Sequence, residues 1–283
     1  MDYNKVGAIV ITYNFDSTFK KSFEISYKQV DHIVIVDNNS NEECIKFLKK
    51  IEGLNKVTII YNDRNYGIAR AINQGIDLLI KLKCDWIITL DDDSVLEKDA
   101  VYKMLKAKDN INKNNIGAVC PNVYDVNLKE YMYSNEIKIS KISKAIQSGA
   151  MFNSKVFEKI GLFNEELFIY YVDEEYFEKI ILSGYEIYRI NNAIIYHSDG
   201  CIIKKKLLSK EFHFNRRPYY AIYYRARNGI YMVKKYGLSY LKDIFRDPIK
   251  IFLYDDNKCK KIIYYIKGIK DGIFNNLGPM QEK

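Results

Sequence analysis

Three consecutive aspartates, at positions 91–93, are the strongest chemical signal in the sequence. They follow the apolar run WIITL at residues 86–90, which has the composition of a buried strand. Carboxylates this close repel one another unless water or a cation neutralises them, and Mg²⁺ and Mn²⁺ commonly bridge carboxylates to phosphates. Because alternate residues of an extended segment point the same way, Asp91 and Asp93 are predicted to face one metal ion. The alternative is a solvated acidic turn or the N-terminus of a helix.

A second candidate site is the segment NYGIARAINQG at residues 65–75. A helix is predicted to begin after Gly67, because apolar residues recur at helical spacing from Ile68 onward. Free N–H groups at the start of a helix favour phosphate, and glycine lets a ligand approach the backbone closely. Arg70, in the first turn, is then within reach of a diphosphate. The alternative is an ordinary helix with glycine at its start.

An acidic cluster at residues 173–175 follows the aromatic run FIYYV and opens a predicted helix. A carboxylate there can act as a general base that takes a proton from an acceptor hydroxyl. The alternative is structural, because acidic residues in a first turn are favoured by the helix dipole.

His197 follows a predicted strand in the polar turn YHSDG at residues 196–200. A histidine at such a turn is a candidate metal ligand, and the alternative is a side chain that only hydrogen-bonds within the turn. His32 and His213 have no comparable surroundings, so we predict no site at either.

The elements that must position these residues alternate between strand and helix. Four apolar runs, each followed by polar residues, read as buried strands: residues 6–12, 32–36, 57–61 and 86–90. Such alternation predicts a parallel α/β sheet, in which ligands bind at the carboxyl ends of the strands. Further strands are predicted at 116–120 and 187–196, short helices at 154–161 and 173–183, and helices beyond about residue 212.

The composition is that of an ordinary folded protein. Of 283 residues, 48% are hydrophobic and 28% charged. No apolar run reaches about 18 residues and the N-terminus lacks a signal-peptide pattern, so we expect a cytoplasmic protein. The cysteines are odd in number and form no CxxC motif, which argues against disulfides and cysteine zinc sites. We expect all five to be reduced thiols that fill apolar space.

The net charge of +8 is unevenly distributed. Residues 201–283 carry 19 Lys and Arg against 7 Asp and Glu, and hold 15 of the 40 aromatic residues. This pattern is typical of single-strand nucleic-acid binding or of a membrane interface. We expect no nucleic-acid partner, because the acidic strand ends would repel phosphates and no RNA-binding motif is present. Contact with a membrane surface and helices that cover the domain or form a homodimer both remain open.

Taken in order, the motifs resemble family 2 glycosyltransferases of the GT-A fold, and most closely the bacterial rhamnosyltransferases and galactofuranosyltransferases. The resemblance covers residues 5–237. The matching segments are ITYN at 11–14, VDNNS at 36–40, NYGIARAINQG at 65–75, LDDDS at 90–94, QSGAMF at 147–152, IGLFNEELFIYYVDEEY at 160–176, YHSDG at 196–200 and RARNGIYMVKKYG at 225–237.

The resemblance implies a fold and a domain organisation. The fold is a mixed, mainly parallel sheet flanked by helices, with a helical C-terminal extension. Residues 1–100 would form the nucleotide-sugar-binding half of the domain and residues 101–211 the acceptor-binding and catalytic half. Residues 212–283 would form the basic, aromatic extension, of which the part beyond 238 matches no family motif.

The resemblance also implies an inverting transfer from a nucleotide-diphosphate sugar, with Mn²⁺ or Mg²⁺, to a glycan or lipid-linked acceptor of bacterial surface polysaccharide. The preferred donor is dTDP-rhamnose, and UDP-galactofuranose, galactose, glucose or GlcNAc are alternatives. Enzyme and acceptor would meet in the cytoplasm or at the inner face of the plasma membrane. A nucleotidyltransferase is disfavoured, because the loop after the first strand, YNFD at 13–16, lacks the glycines and basic residues that such enzymes carry there.

Roles for single residues also follow from the resemblance. The donor pocket would comprise Thr12, Asn14, Asp37, Asn65, Gly67, Arg70, Asp91, Asp92, Gly149 and Arg227. Within it, Asp37 would contact the base and Asp91 the ribose or sugar, and Arg227 would reach the diphosphate. Asp93 and His197 would bind the metal. Asp173 would be the base, with Glu174 and Glu175 as alternatives.

Overall fold

A computed structural model describes residues 4–111, 113–134, 136–198, 202–207, 210–215, 217–254 and 257–281. Cys201 and the end of the predicted turn, Asp199 and Gly200, lie outside the described residues, as does the side chain of His213. The chain divides into two compact units. The first comprises Met1–Phe163 and Tyr176–Ser198, and the second Asn164–Glu175 and Asp199–Lys283. The functional division near residues 100 and 212 stays a prediction.

The first unit alternates strands with helices, as expected. Its strands are β1 (Val6–Thr12), β2 (His32–Asp37), β3 (Val57–Tyr61), β4 (Trp86–Asp91), β5 (Val95–Leu96), β6 (Ile116–Asp125), β7 (Glu130–Tyr131), β8 (Ile139–Ile142), β9 (Met151–Asn153) and β10 (Glu186–His197). Its helices are α1 (Thr18–Gln29), α2 (Glu42–Ile51), α3 (Ile68–Lys81), α4 (Ala100–Asn110) and α5 (Ser154–Ile160). The helix α6 (Val172–Leu182) begins in the second unit and ends in the first.

These strands form a mixed, mainly parallel sheet, in the order β3-β2-β1-β4-β9-β6-β10-β5. β1 pairs in parallel with β2 and β4, and β6 with β10, whereas β9 and β5 are antiparallel to their neighbours. In this register Thr12 lies opposite Asp37, and Ile11 opposite Asp91. The polar strand ends therefore meet at one edge of the sheet, as predicted for parallel strands.

Burial on both faces explains the unbroken apolar runs. In β2, the four residues 33–36 alternate between the two faces and all are fully buried. On one face α3 packs so closely on β1 that a Cβ at Gly75 would lie 2.7 Å from Ile9. Cys44, Cys84 and Cys120 fill apolar space as expected, but Cys259 is exposed, so that expectation is wrong there.

The second unit contains a hairpin and three helices. The hairpin is β11 (Ile202–Leu207) with β12 (Lys210–Asn215), and the helices are α7 (Tyr219–Tyr236), α8 (Leu241–Tyr254) and α9 (Lys258–Ile273). Helical structure was predicted from residue 212, but that position lies in β12, whose alternating KEFHFN pattern suits a strand. In the described part of the chain, no helix is long and apolar enough to span a bilayer.

Candidate active site

A group of two carboxylates and one imidazole lies at the end of β4. Asp91, Asp93 and His197 each offer one ligand atom, and these atoms lie within 4.8 Å of one another. Antiparallel pairing of β5 with β10 brings the histidine back to the aspartates. The Oγ atom of the buried Ser94 lies 2.7 Å from His197 Nδ1 and donates to Asp93 Oδ1 at 3.3 Å. In the tautomer that carries its proton on Nδ1, the ring donates to Ser94 Oγ and Nε2 keeps the lone pair that a metal ion needs.

A loop between β8 and β9 holds the first of these carboxylates. Gln147 Nε2 donates to Asp91 Oδ1 at 2.5 Å, and Asp91 N donates to Ser148 Oγ at 3.0 Å. The loop is fixed in turn to β4, because Thr89 Oγ1 donates to the carbonyl of Gln147 and Gly149 N donates to the carbonyl of Thr89. Gln147 Oε1 is buried without a hydrogen-bond partner among the described residues, and is thus a spare acceptor.

Asp92 is not part of the metal-binding group and has a different partner. Its carboxylate accepts a hydrogen bond from the backbone N–H of Tyr13 at 3.0 Å. Burial raises the pKa of Asp92 to about 7, and the carboxylates of Asp91 and Asp93 add to the rise, while the hydrogen bond from Tyr13 opposes it. The middle aspartate thus ties the end of β4 to the loop after β1.

The predicted residues at the ends of β1 and β2 form one polar cluster. The buried carboxylate of Asp37 accepts from Thr12 Oγ1 at 2.9 Å and from both the hydroxyl and the backbone N–H of Ser40. Asn14, exposed and with φ of +54°, donates its N–H to Ser40 Oγ and accepts from Asn41 N. Asp37 therefore organises this loop, and its contact with a nucleotide base stays a prediction.

At the start of α3 the backbone takes a conformation that favours glycine. Gly67 has φ of +86°, and its N–H donates to Asn65 Oδ1 at 2.9 Å, while its carbonyl accepts from the buried Asn38. The exposed Arg70 lies over the ring of Tyr66, with 4.1 Å from guanidinium carbon to ring centroid. The predicted segment is thus a rigid turn beside a solvent-accessible cation.

The acidic cluster lies in the second unit, at the start of α6. Asp173 Oδ1 accepts from Glu174 N at 3.0 Å. Burial, reinforced by the neighbouring Asp173 carboxylate, raises the pKa of Glu174 well above its usual range, while the guanidinium of Arg225 opposes the rise. Arg225 itself pairs with the buried Asp247 at 2.8 Å. Burial at this position therefore favours the protonated form of Glu174.

Glu175 has a different role. It is fully buried, and its Oε1 accepts from Lys235 Nζ at 2.7 Å and from Tyr236 Oη at 2.9 Å. A buried carboxylate that is paired in this way holds α6 on α7 and is not available to a substrate. It is therefore the weakest of the three candidates for the base.

The sequence matches a known protein family. The model described as Glycosyl transferase family 2 matches residues 8–177, which is more than half of the chain. The chain belongs to glycosyl transferase family 2. The enzyme is 28% identical over 256 residues to the dTDP-rhamnosyl transferase RfbF of Shigella flexneri, which covers 85% of this chain and 84% of the relative. It is also 27% identical over 177 residues to the uncharacterized glycosyltransferase R363 of Acanthamoeba polyphaga mimivirus, covering 59% of this chain and 68% of the relative.

Solved structures confirm the GT-A fold of the enzyme. GalNAc-T7 with UDP, GalNAc and Mn²⁺ superposes with a TM-score of 0.63 at 15% identity, over 96% of this chain and 56% of that one. The mannosyltransferase PcManGT of Pyrobaculum calidifontis, in complex with GDP-Man and Mn²⁺, gives 0.57 at 14% identity, over 97% and 88%. At such identities the likeness concerns the fold alone.

The donor set of the enzyme fits a divalent first-row cation. Carboxylate oxygens suit Mg²⁺ and Mn²⁺, and an imidazole nitrogen suits the transition metals. The side chain of Asp93 is 45% exposed, so the group is open to solvent on that side. Asp91 and Asp93 lie together with His197 as a third donor, but residues 92–93 form a turn after β4, so the predicted extended segment is not what brings the two carboxylates together.

Arg227 is buried and bound to the protein itself, so its position does not support the predicted contact with a diphosphate. The side chain is fully buried in α7 of the enzyme, and its guanidinium donates to backbone carbonyls of residues 166, 167 and 278 and to Asn228 Oδ1. With the three candidates for the base, Asp173, Glu174 and Glu175, it belongs to the second unit, whereas the other predicted site residues belong to the first.

Sequence reasoning missed several residues that contact the site residues of the enzyme. Ser94 and Gln147 lie in segments that carried the resemblance, but only the structure shows their hydrogen bonds to His197 and Asp91. Arg225 stands two residues before Arg227 and gave no separate signal in the sequence.

Proposed function

We propose that the enzyme transfers rhamnose, with inversion, from dTDP-rhamnose to a glycan or lipid-linked acceptor in bacterial surface polysaccharide synthesis. The grouping of Asp91, Asp93 and His197 carries the proposal of a metal-dependent nucleotide-sugar site. The likeness to the dTDP-rhamnosyl transferase RfbF along most of both chains supports the donor. A UDP-sugar donor, such as galactofuranose, galactose, glucose or GlcNAc, is the alternative.

The proposed cation is Mn²⁺ rather than Mg²⁺. An imidazole ligand suits Mn²⁺ better than Mg²⁺, which prefers an all-oxygen shell with several waters. Asp91, Asp93 and His197 Nε2 would hold the ion, which when bound would neutralise charge on the leaving diphosphate. Thr12, Asn14, Asp37, Asn65, Gly67, Arg70 and Gly149 keep their proposed places in the donor pocket.

The proposed chemistry is a single displacement. The acceptor oxygen bonds to the anomeric carbon, the bond from that carbon to the diphosphate oxygen breaks, and the proton of the acceptor hydroxyl passes to Asp173. No protein nucleophile takes part, so the configuration at the anomeric carbon inverts. Asp173 keeps the role of base that the resemblance gives it, and Glu174 is the alternative.

Thermal shift with a nucleotide panel tests the donor and the metal together. The panel holds dTDP, UDP, GDP and their sugars, each with Mn²⁺, Mg²⁺ or neither, on wild type, Asp93→Ala and Asp99→Ala. Asp99 is a matched control, since it is an exposed aspartate of the same unit that pairs with Lys103 outside the metal group. A ligand that binds only the folded state raises the midpoint by mass action.

The expected result is a Mn²⁺-dependent rise with dTDP and dTDP-rhamnose that Asp93→Ala abolishes and Asp99→Ala retains. A rise with UDP ligands alone would replace the proposed donor. An identical response of Asp93→Ala and wild type would remove Asp93 from the metal site.

The acceptor is proposed to meet the enzyme at a bilayer surface through α8. On this helix the apolar side chains of Phe245, Ile249 and Phe252 are 59–70% exposed at helical spacing. Lys242, Arg246 and Lys250 form the adjacent stripe with spacing of four residues, so the exposed surface is apolar on one side and basic on the other. Anionic lipid headgroups complement such a surface, and apolar side chains insert at the headgroup boundary.

Vesicle co-sedimentation tests this surface. The enzyme should bind vesicles of phosphatidylglycerol and phosphatidylcholine but not of phosphatidylcholine alone, and Phe245→Ser with Phe252→Ser should abolish binding. Leu182→Ser is the matched control, because Leu182 is 72% exposed on α6. A dimer in sedimentation velocity that the double variant dissociates, without vesicle binding by wild type, would assign the surface to a second copy of the chain.

A further inference from the structure

The loop that leads into α6 is strained. Phe168, Tyr170 and Tyr171 have φ of +64°, +64° and +61°. Bulky residues rarely adopt this left-handed region, and none of the three is glycine. Such conformations persist only where surrounding contacts hold them, and they concentrate at functional sites. The loop precedes the acidic cluster by two residues, so its shape sets the start of α6.

Two neighbouring side chains of α7 hold this loop. Arg227 and Asn228 are both fully buried, and Arg227 Nε donates to Asn228 Oδ1 at 2.9 Å. Arg227 Nη2 donates to the carbonyls of residues 166 and 167, each at 3.1 Å. Asn228 Nδ2 faces the carbonyls of residues 167, 169 and 170 at 3.0, 2.9 and 2.8 Å. Four carbonyls of the loop, those of residues 166, 167, 169 and 170, thus face one pair of side chains.

The C-terminal segment also contacts Arg227 and the loop. Arg227 Nη1 donates to the carbonyl of Gly278, and Gly278 N donates to the carbonyl of Glu166 at 2.7 Å. The C-terminal segment therefore closes around the loop on the side of Glu166. Nη1 and Nη2 thus bind backbone carbonyls and Nε binds Asn228, so all three nitrogens have partners within the protein.

We propose that Arg227 and Asn228 are positioning residues for catalysis, which hold the loop of residues 166–171 in its strained shape and so place Asp173. The last link is the hydrogen bond from Glu175 N to the carbonyl of Tyr171 at 3.0 Å, by which the loop continues into the first turn of α6. The inference rests on the proposed role of Asp173 as base. It replaces the predicted contact of Arg227 with the diphosphate.

Steady-state kinetics of Asn228→Ala and Asn228→Ser test the role. A displacement of about 1 Å at a catalytic group lowers the rate about 10²-fold, so kcat should fall by that order. KM for the nucleotide sugar should stay within about twofold, because donor contacts are not touched. The matched control is Lys234→Ala, which removes hydrogen bonds from the same helix to the carbonyls of residues 272 and 273. That control should retain wild-type kcat.

A substitution that relieves the backbone strain at Tyr170 should partly restore the kcat that Asn228→Ala loses. Tyr170→Gly and Tyr170→Ala remove the same side chain, but only glycine accepts φ of +64° without cost. In the Asn228→Ala background, Tyr170→Gly should therefore recover more of kcat than Tyr170→Ala does. Equal kcat in the two double variants would contradict the link between the pair and the strained loop.

Hydrogen–deuterium exchange separates this inference from the proposed function. Amides 167–169 and 175 donate within the loop, so Asn228→Ala and Asn228→Ser should speed their exchange while Lys234→Ala leaves it unchanged. If wild type transfers no sugar from any donor, the proposed function fails, and exchange still decides whether the pair holds the loop. Wild-type exchange in both Asn228 variants, or a loss confined to donor KM, would overturn the inference. Asn228→Ser keeps one donor and serves where Asn228→Ala fails to fold.

Discussion

Substitution of Gly149 by alanine is expected to damage both stability and metal binding. The residue has φ of +84° and lies in the loop that holds Asp91. A Cβ at this position would lie 2.8 Å from Ile195 Cδ1 and 2.8 Å from Pro121 Cγ. The proline ring is rigid and the isoleucine is fully buried, so neither neighbour moves away easily.

The magnitude follows from two separate costs. A left-handed backbone costs a residue with a Cβ about 1–2 kcal/mol, and overpacking adds about 1–3 kcal/mol. The free energy of unfolding should therefore fall by about 2–5 kcal/mol in Gly149→Ala. Gly161 is a matched control: its φ is +81°, but nothing lies within 4 Å of an added Cβ. Gly161→Ala should lose only the backbone cost, about 1–2 kcal/mol.

Urea unfolding and Mn²⁺ titration measure the two effects separately. Gly149→Ala should unfold at lower urea than Gly161→Ala, with the same m-value. Because the loop orients Asp91, Mn²⁺ affinity should fall about 10- to 100-fold in Gly149→Ala and stay unchanged in Gly161→Ala. Equal stability of the two variants would refute the packing argument. Lower stability with unchanged Mn²⁺ affinity would refute the role of the loop in orienting Asp91.

Four further outcomes are expected. Ser94→Ala should lower Mn²⁺ affinity about 10- to 100-fold, and ¹⁵N NMR should show the Nδ1–H tautomer of the metal-group imidazole in wild type but a mixture in the variant. Asp173→Asn should lower kcat about 10²- to 10⁴-fold and Glu174→Gln far less, with the reverse order assigning the base to Glu174. Because burial and Asp173 raise the pKa of Glu174, wild-type stability should fall as pH rises from the unfolded pKa to the folded one, and Glu174→Gln should remove that slope in urea unfolding. Asp247→Asn should lower the free energy of unfolding by about 3–5 kcal/mol in the same assay, because it leaves Arg225 buried and unpaired. The double variant Asp247→Leu with Arg225→Met should lower it by less, because no buried charge is left.

The sequence predicted the sheet edge well because strand ends carry a local signal. The seven-residue run of β1 is buried throughout, as an unbroken apolar run predicts, whereas the five-residue run of β3 is an edge strand that is only half-buried. Parallel pairing brings the carboxyl ends of these strands together. The aspartates at 91–93 needed no further information to be placed there. His197 is harder, since it lies about a hundred residues away and reaches the group only through the antiparallel pairing of β5 with β10, and β5 is too short to predict.

The sequence could not rank the three acids at 173–175. All three stand in one helical turn, and their types and spacing are equivalent. Burial separates them: Glu175 faces Lys235 and Tyr236 across the fold, while Asp173 and Glu174 are only partly covered. Such a distinction depends on residues sixty positions away, which no local pattern specifies.

Arg227 shows the same limit for a side chain whose chemistry is plain from its type. A guanidinium fork binds phosphate oxygens and backbone carbonyls with similar geometry, so residue type alone allows either partner. Arg227 binds carbonyls because it is buried on α7, next to Asn228, which binds the same loop. A buried cation of this kind needs several acceptors at once, and a strained loop provides them because its carbonyls are not used in regular structure. The two features therefore explain each other: the loop keeps its left-handed residues because the guanidinium and amide bind it, and the guanidinium tolerates burial because the loop surrounds it with oxygens.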